Sequence, residues 1–275
     1  MNKSLGFKLV FKAVLFTLAT LLGFWLLNSV LSGKVWEGMT LSKSALVGEY
    51  CEFNNSQKFF HQSMNTYSNL AYFFFGILII FIAIYDIENT RNNLKNKLEK
   101  FPQLSILMGL FLIYLSIGSA FFHASLTYVG QRVDMNGTYS ISIALLGIAF
   151  YHLFQIDSFT ENGKKIWVIA LIIMTVIFIP IHLLISSSIL LPGMILLQTV
   201  LVFIIYFRNR QERFFLLAIS SIILMFIAVK IRTLDVQKIG CDPHSFYQGH
   251  AIWHLLTALS SFFSYAFFRF SKIQP

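Results

Sequence analysis

The sequence predicts an all-α fold: a polytopic membrane helix bundle with a seven-helix core plus one extra N-terminal helix. Three observations predict it. Of the 275 residues, 56% are hydrophobic and 12% charged, about half the charge of a soluble domain, and the mean hydropathy is +0.70. The apolar residues gather into eight segments, each near the roughly 20 residues that cross a hydrocarbon core of about 30 Å. None of them alternates as a barrel strand must, and a helix satisfies its own backbone hydrogen bonds where water is absent.

Taken in order, the first span covers 13–31, preceded by Lys3, Lys8 and Lys12. It is longer than the roughly 7–15 apolar residues of a signal peptide, so it reads as a retained anchor; cleavage would leave seven helices. The second, 65–85, runs into a loop at 86–103 that reads as a solvated or interfacial cytoplasmic helix. Spans at 104–123, 135–154 and 166–185 follow, the last expected to kink at Pro180. A serine turn at 186–188, flanked by Pro180 and Pro192, leads to 189–207, 214–231 and 251–268. The domain reading is an anchor at 1–32, an outer-face loop with an acidic cluster at 33–64, and a seven-helix catalytic membrane domain at 65–275.

The net charge of +9 raises the question of nucleic acid. Its distribution answers it. With the N-terminus inside, 13 of the 21 Lys and Arg fall on the inner side and 7 on the outer, with Lys12 at the boundary. That bias places both termini in the cytoplasm and leaves no nucleic-acid surface. The 30 Phe residues read as lipid-facing bulk.

Ionisable groups at membrane depth are functional candidates, and here they converge. Ser119 and His123 end the third span, Asp134 begins the fourth, and His250 and His254 open the eighth. The topology puts all five at the outer face. His250 and His254 are spaced i,i+4, so their rings share one helix face; Ser119 and His123 have the same spacing. Three neutral imidazoles from two helices suit Zn²⁺ with a fourth position open, the pattern of a catalytic zinc site. Such a metal acidifies water and polarises a carbonyl. Asp134 is then the candidate base, and Ser119 the candidate hydrogen-bond donor to a developing oxyanion.

The bland readings compete. An H-x-x-x-H pair alone is a weak motif, a lone membrane histidine is more often interhelix packing, and a membrane serine more often bonds its own helix. Agreement in face and depth is what lifts these residues above them. His152 and His182 have no partner at helical spacing and read as structural. His61 and His244, in outer loops, are stand-in ligands without helix-fixed geometry. Arg132 reads as an interfacial anchor.

The S-x-x-x-H at Ser119–His123, Asp134 eleven residues on, and H-x-x-x-H at His250–His254 resemble the superfamily of seven-helix membrane hydrolases that includes adiponectin-receptor-like and hemolysin-III-like proteins. "EYCEFN" from Glu49, "NTYSNL" at 65–70 and "QGHAIWHLLTAL" from Gln248 narrow the resemblance to the alkaline ceramidase family over roughly 48–268. The resemblance implies zinc on His123, His250 and His254, Asp134 as the base, Ser119 on the oxyanion, and a membrane lipid substrate. That substrate is ceramide, or another N-acyl amide, cleaved to a sphingoid base and a fatty acid. It also implies a Ca²⁺ site at Glu49, the Tyr50 carbonyl, Glu52, Asn54 and Gln62. Gln62 stands where the family has a glutamate, a departure that removes one carboxylate from the oxygen set calcium prefers.

Cys51 and Cys241 both fall in outer-face loops, where an oxidising compartment permits a disulfide. Such a bridge would tie the acidic loop to the segment entering the last helix. Two other function classes stand beside the enzyme: a receptor or channel-like protein of the adiponectin-receptor or hemolysin-III type using zinc for structure or signalling, and a transporter or bundle whose polar residues are helix glue. The spans carry no mid-membrane charge pathway of the kind a proton-coupled carrier needs.

Overall fold

A computed structural model describes residues 3–88, 96–154, 160–181, 184–210 and 212–270. Among the described residues the elements are all helical, with isolated bridges joining Ser32 to Lys58 and Leu41 to Thr127. Helix α1 covers Lys3–Val30, followed by a 3-10 turn at Gly33–Trp36 and the four-residue α2, Lys43–Leu46. Then come α3 (Ser63–Ser68), α4 (Leu70–Glu88), α5 (Pro102–Ser125), α6 (Tyr128–Leu153), α7 (Glu161–Ile177), α8 (Ser187–Arg208), α9 (Phe215–Val236) and α10 (Gly249–Arg269). Among the described residues, seven segments are long and apolar enough to cross a membrane, α3 and α4 counting as one and the shorter α7 not included. The chain is an integral, multi-pass membrane protein.

Three expectations are corrected. The fifth span ends early: α7 stops at Ile177, three residues before Pro180, so the proline terminates the helix instead of kinking it. At 17 residues it reaches about 26 Å. Ser187 and Ser188, expected in the serine turn, open α8, with Ser186 as its N-cap. Asp134 does not begin its helix but sits more than one turn inside, because Thr127 caps α6 with its side chain on the Gly130 amide. In the 86–103 loop, residues 96–100 form turns with Leu98 and Phe101 fully buried; 89–95 lie outside the described residues, as does His182.

The α5–α6 hairpin is what brings Ser119, His123 and Asp134 together. Leu126, in the left-handed region at φ 55°, stops α5, and its amide bonds back to Phe122. Only Leu126 and Thr127 separate the helices, so they run antiparallel from the turn. Small residues let them close: a Cβ on Gly137 would lie 2.8 Å from the Leu115 Cα, and one on Gly118 2.8 Å from a Val133 methyl. Close backbone approach at small residues is how helices pack where lipid gives no hydrophobic drive.

Helix α10 is the centre of the bundle, touching α3, α4, α6 and α9. Its N-terminal end, called outer after the expected topology as the opposite end is called inner, has no N-cap side chain of its own. Asp235, at the end of α9, supplies one: Oδ1 accepts the His250 amide at 3.2 Å, and Oδ2 accepts the Cys51 amide at 3.1 Å. A carboxylate there also complements the helix dipole. Cys51 and Cys241 form a disulfide with Cα atoms 5.7 Å apart. The outer loop docks by backbone as well, the His61 and Gln62 amides donating to the Ala124 and His123 carbonyls that α5 leaves free at its end. Helix α1 lies along α4, with Leu9 and Ala13 packed on Leu78 and Ile82.

The inner end is closed by charge. Arg269 bonds Asp86 through Nε (2.8 Å to Oδ2) and Nη2, and Glu99 through Nη1 at 2.8 Å. Arg213 donates to the Phe267 and Phe268 carbonyls of the last turn of α10. The Asp86 side chain is 2% exposed and that of Arg269 5%, and removing one member of a buried pair strands the other. Arg269→Met should therefore destabilise the protein by about 3–5 kcal/mol, read as thermal unfolding in detergent. An unchanged midpoint would show that the pair does not hold the inner end.

Candidate metal centre and its cavity

His123 comes from the last turn of α5, and His250 and His254 from the first two turns of α10. All three are buried, at 0%, 4% and 3% exposed. One ring nitrogen of each lies within 4.8 Å of the others, and His123 Nε2 and His250 Nε2 are 3.2 Å apart. Two nitrogens at about 2.0–2.1 Å from one tetrahedral zinc stand roughly 3.3–3.4 Å apart, so the spacing suits the ion.

The opposite ring edges are also defined. His123 Nδ1 lies 2.7 Å from Gln62 Oε1, and His254 Nδ1 lies 2.8 Å from Ser68 Oγ. Imidazoles held at Nδ1 turn Nε2 inward, the usual arrangement of metal-ligating histidines. His250 differs. Its Nδ1 is buried without a hydrogen-bond partner, and its ring is held by the face of Tyr50, centroids 4.0 Å apart.

Ser119 and Asp134 lie beside the cluster. The Ser119 hydroxyl is close enough to the Asp134 carboxylate, across the α5–α6 interface, to donate to it. Both line a cavity of about 360 Å³ together with His250, His254, Tyr72 and Arg232, within the size range of small-molecule sites. A second cavity of about 90 Å³ shares Tyr72, Leu115, Thr138 and Trp253 with it and reaches toward Ser264 in the bundle interior. The arrangement thus combines a site for a cation, a carboxylate, a hydroxyl and an apolar extension.

The other sequence candidates fall elsewhere. His61 and His244 are not in the cluster; the His244 ring packs on Phe53 with centroids 4.9 Å apart. His152 bonds the Ile148 carbonyl one turn back and packs on Phe268. The Arg132 guanidinium covers the Tyr128 ring at 4.9 Å.

The five residues expected around calcium are close in sequence but engaged in three directions. Glu49 accepts from Ser44 and from Arg232 Nη2, the latter at 3.1 Å. The Tyr50 carbonyl accepts the Lys238 ammonium. Glu52 spends both oxygens on the Met64 and Asn65 amides at 2.7 and 2.8 Å, capping α3. Burial pushes its carboxyl up to about 7, against the pull of those amides. Gln62 donates from Nε2 to Asn54 Oδ1 at 2.7 Å and turns Oε1 to His123. Calcium takes six to eight oxygens at one point. Here two of the five residues face a cation of the protein itself, and the set does not fit that ion.

Sequence reasoning missed Gln62 and Ser68 as partners of the rings, Tyr50 as a stacking face, Arg232 as a cavity wall and Asp235 as the cap. Each acts on a partner at least 15 residues away, so no local pattern marks it.

A comparison with curated proteins finds none that matches. The family model described as Ceramidase matches residues 44–274, a stretch holding every residue of the cluster, the cavity and the disulfide, with α1 outside it. By that match the chain belongs to the ceramidase family.

Proposed function

We propose that the chain hydrolyses the amide of a membrane ceramide, with zinc on His123, His250 and His254. Membership of the family supports hydrolysis of a lipid amide in general. What carries the finer reading is the convergence of three buried imidazoles beside a Ser119–Asp134 pair in one cavity. When bound, zinc acidifies water and polarises a carbonyl.

The chain's own groups then have these tasks. The Asp134 carboxylate takes a proton from the attacking water and later gives one to the departing amine, as a general base turned general acid. The protonation state of Asp134 decides when Ser119 turns to the oxyanion. While Asp134 is ionised, the only hydroxyl proton of Ser119 is spent on the carboxylate. Once Asp134 is protonated, that donor is released to the oxyanion forming beside it. Water and the amide are consumed, and a carboxylic acid and an amine leave. The extension past Tyr72 and Trp253 takes apolar chain, which suits a lipid and not a polar amide.

Purified protein in detergent should release fatty acid from ceramide. His254→Ala or chelation should abolish release. Asp134→Asn should cost about 10²–10⁴ in rate while metal content is retained. Stoichiometric zinc without turnover of any lipid amide would sink the reading and favour a receptor-like role for the same scaffold.

The site is assigned to the periplasmic or lumenal side, with both termini cytoplasmic; the 17-residue α7 is then the eighth crossing. The Lys and Arg bias supports this, as does a disulfide at the site's end of the bundle, since such bonds persist in oxidising compartments. A membrane-impermeant maleimide applied from that side should label Ser245→Cys and not Lys165→Cys; the reverse pattern inverts the topology.

Calcium is not required on this reading, because its expected oxygens are occupied within the protein. The thermal midpoint and the hydrolysis rate should be the same in millimolar calcium as after its removal. A calcium-dependent rise in either would reinstate the ion.

A further inference from the structure

We propose that one face of α3, bearing Gln62, Asn65 and Ser68, is the positioning element of the histidine cluster: it decides which nitrogen of His123 and of His254 carries the proton. The three residues are spaced by three, so they stack along one side of a single short turn of helix. Gln62 is its N-cap residue and Ser68 its last. Neither Gln62, 2% exposed, nor Asn65, fully buried, reaches solvent.

The hydrogen bonds run in one direction. Ser68 spends its hydroxyl proton on the Asn65 carbonyl at 2.9 Å. Its oxygen can then only accept from His254 Nδ1 at 2.8 Å. Gln62 Oε1 collects the Asn65 Nδ2 donor at 3.1 Å and His123 Nδ1 at 2.7 Å, while Gln62 Nε2 is committed to Asn54 Oδ1. An amide oxygen has no proton to give, so His123 must donate. Both rings are therefore Nδ1–H tautomers, and each presents a bare Nε2 to the other helix. A neutral imidazole takes its tautomer from whichever nitrogen finds an acceptor, and at these two buried ring edges the acceptors are Gln62 Oε1 and Ser68 Oγ.

His250 lies outside this arrangement. Its Nδ1 has no hydrogen-bond partner, and Tyr50 holds it by ring contact. The face of α3 thus governs one histidine from each of the two helices, and leaves the third to stacking. Gln62, expected from the sequence as a calcium oxygen, acts on His123 instead. It does so as a neutral acceptor, which fixes the ring's direction without placing another charge beside the cluster.

The inference rests on the metal-holding reading above, and its test separates the two. Zinc affinity is measured by competition with a chromophoric chelator, in calcium-free buffer, for the full-length wild type, Gln62→Met, Ser68→Ala and Gln62→Glu. Gln62→Met and Ser68→Ala should each bind zinc about 10–100-fold more weakly. Gln62→Glu keeps an acceptor and should bind as tightly as wild type or tighter. Unchanged affinity in both of the first two variants, with only their thermal midpoints lowered, would overturn the proposal. Should those variants fail to fold, ¹⁵N NMR of histidine-labelled, metal-free wild type still decides: His123, assigned with His123→Ala, and His254 should both carry the proton on Nδ1. A proton on Nε2 of either ring overturns it. No zinc bound by wild type would instead defeat the metal reading.

Discussion

The Nε2 atoms of His123 and His250 lie 3.2 Å apart on buried rings, and the outer end of the bundle is arranged around keeping them there. Imidazoles crowded into a medium of low dielectric cannot rely on solvent to choose their protonation or direction. Each contact that fixes them comes from a different stretch of chain: the α5–α6 hairpin for His123, Asp235 for the start of α10, α3 with its N-cap for the far ring edges. The Gln62 amide even bonds the carbonyl of His123, whose ring the Gln62 side chain also holds. Backbone and side chain thus fix the same residue from both sides.

The two ends of the molecule solve the problem of buried charge differently. At the inner end, Arg269 meets Asp86 and Glu99 directly, one cation clamped between two carboxylates. A closed network of that kind holds helices and leaves nothing for a ligand. At the outer end, the carboxylates are spread out: Asp235 on two amides, Glu52 on two more, Glu49 on Arg232, and Asp134 on a hydroxyl. Among these, Asp134 has the partner most easily exchanged, and with Glu49 it lines the cavity that His250 and His254 face.

How much of this was legible in the sequence follows from how local each signal is. Helices and their approximate ends follow from apolar run lengths, which depend on neighbouring residues only. The ends that differed were set by a single local feature weighed wrongly: Pro180 stopping α7, and Thr127 starting α6 seven residues before the expected 135. The histidines could be grouped because i,i+4 spacing and equal depth are sequence properties. Gln62 could not be placed, since its partner is 61 residues away and an amide next to acidic residues suggests an oxygen ligand. Asp235 sits at the end of an apolar helix with no motif around it, and its role exists only once Cys51 and His250 have been folded against it.

Helix α1 lies outside the segment that matches the family and touches none of the three rings, yet it stands directly behind α3. Its Asn28 side chain accepts the Phe60 amide, and its Phe24 ring packs on Phe60 and Tyr67, the latter next to Ser68. The added helix is a buttress. Trimming it would loosen the wall on which the imidazoles lean without altering one atom that faces the cavity, so the reach of the reactive centre extends into a part of the chain that its relatives' shared pattern does not include.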